Sequence, residues 1–193
     1  MNVRLMERLQ AREAYRRGPT MLHPECPIEQ SVTARDARLQ AALMQEIWRP
    51  HGFLEHGTML VAEPSCLRVL ARTEAALRLP VEALSKRYGD ALVVEPPSVR
   101  YALGAPVLEP YMSLLVSGPR NHLAFVTDDL SWRGARVTRL DPDSDRFVLE
   151  AEGALGRLLG YREWLDERTA GGDVDVSMWL SRYLPIDEGP YAA

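Results

Sequence analysis

Apolar side chains change period several times along this chain, and each change marks an element. Ile28, Gln30 and Val32 alternate with Glu29 and Ser31, which predicts a short strand. Leu39, Leu43 and Ile47 then recur at helical spacing behind Thr33 and Asp36, a pair at capping-box separation, and Pro50 and Gly52 mark the expected stop. The run HGTMLVAEPSCLRVLARTE reads as two extended segments forming a hairpin at Pro64-Ser65. LPVEALSKRYGD predicts a second helix, with Val81, Leu84 and Tyr88 on one face and Gly89 ending it. ALVVEPPSVRY supplies a last strand, interrupted at Pro96-Pro97.

The order strand, helix, strand, strand, helix, strand then repeats. YMSLLVSGP is a strand, and NHLAFVTDDLSWRG a helix with Leu123, Val126 and Leu130 on one face. ARVTRL and DRFVLEAE flank the turn DPDSD, rich in Asp and Pro. LGRLLGYREWLDERTAGG predicts one helix from Leu155, Leu158, Leu159 and Leu165, stopped at Gly171-Gly172. Gly160 falls inside it, where glycine costs about 1 kcal/mol relative to alanine. The expectation is that Gly160 lets this helix approach its sheet or the other unit closely, with Tyr161 anchoring beside it. VDVSMWLSRY closes the unit, Val174, Val176, Met178 and Leu180 alternating with Asp175, Ser177, Trp179 and Ser181.

Two such units predict an α+β fold: tandem ferredoxin-like (βαββαβ) domains, each an antiparallel sheet with its helices on one face. The expected boundaries are 21–104 and 105–188, joined at ALGAPVLEP, with a short tail at 189–193. Residues 1–20 are expected to hold a basic N-terminal helix, in which Arg4, Arg8, Arg12 and Arg16 recur every four residues. That ridge could track an RNA backbone; a solvated face is the favoured reading.

Composition narrows the class. The chain has 193 residues, 46% hydrophobic and 26% charged, as in a soluble globular protein. No apolar run approaches the roughly 20 residues of a membrane span, and the arginine-studded N-terminus lacks the apolar segment of a secretory signal. Cys26 and Cys66, unpaired in spacing, predict reduced thiols in a cytoplasmic protein. A net charge of −4 argues against indiscriminate coating of nucleic acid but leaves room for a local basic patch. Lys86 is the only lysine. Arginine suits planar contacts to phosphate or carboxylate, although genomic base composition explains the same bias.

Catalytic motifs are largely missing. Lys86 follows Ser85 rather than a glycine, so there is no phosphate-binding G-x-x-x-x-G-K-[ST] loop and GTP hydrolysis by this chain is not expected. There is no G-x-S-x-G elbow. His23 and Cys26, with His51 and His56 further on, lack the second spaced pair of a zinc site. Cys26 has no evident base to activate it. Asp128-Asp129 and the set Asp141, Asp143 and Asp145 read as helix surface and turn. The glycine-rich anion loop of acylphosphatases, which share the fold, is not recognisable. The expectation is a non-enzyme without cofactor or metal.

The motifs Leu108-Glu109-Pro110 with Met112, Asp129-Leu130 with Arg133 and Val137, Gly160-Tyr161 with Leu165, Thr169 and Gly171, and finally Tyr183 and Pro185 occur in order. Residues 106–186 thereby resemble the last domain of translation elongation factor G. MLHPECPI, RDARLQAAL and VEALSKRYGDALVVEPPSVRY, with Pro97 through Tyr101, fit more loosely that family's third domain, its other ferredoxin-like unit. Against the family, the chain lacks the GTPase, the barrel that follows it and the decoding-centre domain, and one arginine of the pair before the family's glycine is gone at Arg133-Gly134. The resemblance implies a translation-associated protein that does not translocate tRNA. It would bind the large ribosomal subunit near the stalk base and the sarcin-ricin loop, through ribosomal RNA or stalk-base protein, and a separate GTPase could complete it in trans.

Expected contacts are Arg120 and His122 before the first helix of the second unit, Arg133 and Arg136 after it, and Tyr161 with Arg162. A different reading is a protein–protein adaptor or homo-oligomer that no longer binds the ribosome, using an open sheet face and Trp179. A third, a small-molecule-binding regulatory pair, lacks a glycine-rich ligand loop to support it.

Overall fold

The computed structural model describes residues 23–47, 57–63, 65–102, 106–171 and 173–186. The N-terminal arginine ridge, the predicted stop at Pro50 and Gly52, and the tail therefore lie outside the described residues. The chain divides into two units, Glu25–Arg100 and a second one built on Tyr101–Ala193 together with Met1–Pro24.

In the unit spanning Glu25–Arg100, β1 (Ile28–Ala34) leads into α1 (Ala37–Ile47). β2 (Thr58–Ala62) and β3 (Leu67–Ala71) form the expected hairpin, closed by reciprocal backbone bonds between Glu63 and Cys66. α2 (Glu74–Tyr88), β4 (Leu92–Val94) and β5 (Ser98–Val99) complete it. The sheet order is β2-β3-β1-β4, with β5 also pairing β1 and every pairing antiparallel. This is the ferredoxin-like order, in which the first and third strands lie side by side at the centre. Ile28, Val32, Leu67, Val69, Leu43 and Leu77 are buried between the sheet and the helices.

Two local readings change. Asp36 alone caps α1: its carboxylate accepts from Arg38 N at 2.6 Å and from Leu39 N at 3.3 Å, while Thr33 belongs to β1. α2 begins at Glu74, earlier than the predicted Leu79, because Thr73 Oγ1 accepts from Ala76 N at 3.2 Å and so satisfies one of the otherwise unpaired N-terminal amides. Pro80 lies inside that helix, and Gly89 ends it at φ +56°.

The second unit repeats the plan. β6 (Leu108–Pro119), α3 (Leu123–Trp132), β7 (Arg136–Pro142) and β8 (Arg146–Ala154) follow in order. The short α4 (Leu155–Leu158), α5 (Tyr161–Arg168) and β9 (Asp175–Pro185) come next. The sheet order is β7-β8-β6-β9, all antiparallel. Val126, Leu130, Phe147, Leu149, Leu158 and Leu165 fill the core.

Gly160 does not do what the periodicity predicts. It breaks the expected helix into α4 and α5, with φ +75°, and a Cβ placed on it would meet nothing within 4 Å. It is glycine for its left-handed backbone, not for close approach. Close approach falls instead to Gly153 in β8, where a Cβ would lie 3.0 Å from Leu158 Cδ1 and 3.1 Å from Ala135 Cβ.

Candidate functional site

The strand registers give the second unit two distinct ends. β6 runs from Leu108 to Pro119, β8 runs back from Arg146 beside Pro119 to Ala154 beside Tyr111, and Arg136 pairs with Glu152. The C-terminus of α3, the link carrying α4, and the N-terminus of α5 therefore share one end. The β7–β8 turn and the segments before α3 and β9 share the other.

This geometry separates the residues expected to act together. Arg133, Arg136, Tyr161 and Arg162 lie at the first end. Arg120 and His122 lie at the second, where Arg120 N donates to Asp145 O at 2.9 Å and its guanidinium to Asp143 O at 3.0 Å. Asp141, Asp143, Asp145, Asp173 and Asp175 gather at this second end, and Arg146 pairs with Asp173. Its field repels phosphate. The first end carries Arg133, Arg136, Arg157 and Arg162 together with Asp128, Asp129, Glu152 and Glu163; Asp129 pairs with Arg133 and Glu152 with Arg136.

Arg133 is the hub of the first end. Its Nε donates to Asp129 Oδ2 at 2.7 Å, one helical turn back, and the pair is largely shielded from water. Another guanidinium N–H donates to Arg157 O at 3.0 Å, joining the end of α3 to α4. The same group stands 5.0 Å from the Tyr161 ring centroid and 4.8 Å from that of Trp164. Trp164 stacks on Phe125 at 5.5 Å and on Tyr161 at 6.0 Å, both nearly parallel, and Arg168 covers Trp164 at 5.8 Å. Contacts of this kind contribute about 0.5–2 kcal/mol each. Arg133 thus locks two helix ends together, and its charge is already engaged.

Tyr161 is 0% exposed, so its ring is unable to stack on an external base. It belongs to the core, as the packing alternative for a tyrosine requires, and that removes it from the expected contacts. Burial, reinforced by nearby Asp129 and opposed by Arg133, pushes its hydroxyl well above the ordinary tyrosine range. No described protein group bonds that oxygen. Arg136 is 73% exposed, with Glu152 at 3.8 Å, and Arg157 and Arg162 are both exposed. These three are the arginines this end presents to solvent. Arg157 was missed in the sequence because nothing in the periodicity of a supposed continuous helix singles it out.

The open face of the sheet is polar and internally paired. Arg182 forms a two-pronged bond to Glu152, at 2.9 and 3.3 Å, and stands 5.2 Å from the Tyr111 ring centroid. Glu152 holds the Arg182 proton more firmly, raising its pKa. Trp179 is 48% exposed on this face. Among the described residues no group of His, Cys, Asp and Glu could hold a metal ion, and no helix is long and apolar enough to cross a membrane.

The second unit is a ferredoxin-like domain with arginines exposed at one helix end and an ion-paired open sheet face. Residues 106–192, somewhat less than half of the chain, match the family described as elongation factor G C-terminus. The chain is also 34% identical over 84 residues to mitochondrial ribosome-releasing factor 2 of Danio rerio, covering 44% of this chain and 11% of that protein. A crystal structure of a protein from Thermus thermophilus superimposes with a TM-score of 0.58 at 14% identity, over 86% of this chain and 41% of the other. The chain therefore spans about a tenth of the curated relative and two fifths of the solved structure. The structural likeness shows the fold.

Proposed function

We propose that this protein is a non-catalytic, translation-associated factor that binds the large ribosomal subunit through the basic end of its second unit, contacting ribosomal RNA. The observation that carries the reading is the placement of Arg136, Arg157 and Arg162 at one end of the second unit, opposite the end with Asp141, Asp143, Asp145, Asp173 and Asp175. A molecule polarised in this way, despite its net charge of −4, would approach phosphate with one end leading. Arg120 and His122 sit at the acidic end and have no part in this contact. A GTPase acting in trans and a stalk-base protein as neighbour are compatible additions.

Co-sedimentation with large subunits tests the reading. Three arginine–phosphate contacts imply a salt slope of about −2.1 to −2.7, so a fourfold rise in salt should weaken binding roughly 20- to 40-fold. Absence from the ribosomal fraction at low salt would refute it. The adaptor alternative rests on Trp179 and the open sheet, and a concentration-dependent mass in light scattering would favour it.

A further inference from the structure

Trp132 is the last residue of α3 and is 80% exposed, more than any other large apolar side chain among the described residues. A scattered surface aromatic is ordinary, so exposure alone assigns nothing. Three further features single this one out. The backbone that carries it is rigid: Gly134, at φ +73°, donates to Ser131 O at 2.9 Å, Ala135 N donates to Leu130 O at 2.8 Å, and Arg133 next to it is held by Asp129 and Arg157 O. The aromatics behind it, Phe125, Trp164 and Tyr161, are committed to one another and to Arg133, whereas Trp132 is left to solvent. The end of the domain on which it stands is the one that presents Arg136, Arg157 and Arg162.

We infer that Trp132 is a stacking platform for an unpaired RNA base, with Arg136, Arg157 and Arg162 taking the phosphates on either side. The inference rests on the RNA reading above and specifies how that contact is made. An aromatic face accepts any base, while the arginines bind the backbone, the combination used to hold single-stranded or looped nucleic acid without sequence preference. A protein partner would be expected to bury Trp132 within an apolar patch. Here Arg136, Arg157 and Arg162 stand at the same end of the unit, together with Asp128, Asp129 and Glu163, and the arginine guanidinium groups complement a polyanion.

The test uses the full chain with Trp132→Ala, Trp132→Leu and Trp132→Phe, each checked for an unchanged thermal melt. Binding is measured to large ribosomal subunits by co-sedimentation and to a dye-labelled oligoadenylate by fluorescence anisotropy. Stacking predicts that the Ala and Leu variants bind roughly 5- to 100-fold more weakly in at least the subunit assay, while Phe stays near wild type. Full binding by Trp132→Ala, with wild-type co-sedimentation intact, would overturn the stacking role and leave the ribosome reading standing. Retention by both Leu and Phe with loss by Ala would mean an apolar anchor for a protein and would also overturn it. Failure of the wild type to co-sediment with large subunits would remove the ribosome reading and this inference together.

Discussion

Two glycines in the second unit do different work, and their substitutions separate it. Gly160 needs a positive φ but has open space around it, so Gly160→Ala and Gly160→Leu should each cost about 1–2 kcal/mol and nearly the same amount. Gly153 has an ordinary backbone but touches Leu158 and Ala135, so Gly153→Ala should cost about 1–3 kcal/mol through overpacking, and Gly153→Leu far more. Urea unfolding of the four variants checks both, and a Leu cost at Gly160 well above the Ala cost would restore the close-approach reading there. Tyr161 makes a second prediction. Its hydroxyl holds its proton more tightly folded than unfolded, so the stabilisation is complete below the unfolded value of 10.0 and shrinks as pH rises above it. The loss approaches about 1.4 kcal/mol per pH unit for one such group. Alkaline titration followed at the phenolate absorbance should show one tyrosine ionising only with unfolding, and Tyr161→Phe should remove that step. Neither effect is visible in the sequence, where Gly160-Tyr161 looks like part of a continuous amphipathic helix.

Elements were legible to the degree that one local signal settled them. Alternation placed β1 and β9 close to their observed spans, because each strand has one face in the core and the other toward solvent. The start of α2 was missed because Leu67, Val69 and Ala71 carry their alternation up to Arg72, and Pro80 looks like a boundary. In fact the Thr73 cap and tertiary burial of Leu77 and Val81 outweigh the lost hydrogen bond at Pro80. Thr73→Ala should therefore destabilise the Glu25–Arg100 unit by about 1 kcal/mol, while Thr73→Asp should hold it near wild type. Urea unfolding monitored by circular dichroism measures both. The candidate site was half legible. Arg133 and Arg136 follow from order along the chain, but the i,i+4 pairing of Arg133 with Asp129 and the separation of Arg120 from Arg162 depend on strand direction. That is a property of the assembled sheet.

At the scale of the molecule, what matters is where charge sits rather than how much there is. A net charge of −4 would ordinarily disfavour an RNA partner, and the proposed contact depends on Arg136, Arg157 and Arg162 lying at the end of the second unit opposite Asp141, Asp143, Asp145, Asp173 and Asp175. The two ends therefore offer an internal control. Arg157→Glu with Arg162→Glu reverses two charges at the end proposed to face phosphate, and both side chains are exposed, so the fold should persist. Arg120→Glu reverses one charge at the acidic end, where its guanidinium binds only a turn carbonyl in the contacts described. The double variant should lose co-sedimentation with large subunits at low salt. Arg157→Ala with Arg162→Ala should bind weakly, with the salt slope reduced by about 1.5–2 relative to wild type. Arg120→Glu should leave affinity and slope unchanged within about a factor of two, since charges beyond a Debye length of ~8–10 Å are largely screened. If both ends respond alike, attraction is diffuse and no oriented contact exists. If only the acidic end responds, the orientation is the reverse of the one proposed, and the partner at that end carries positive charge.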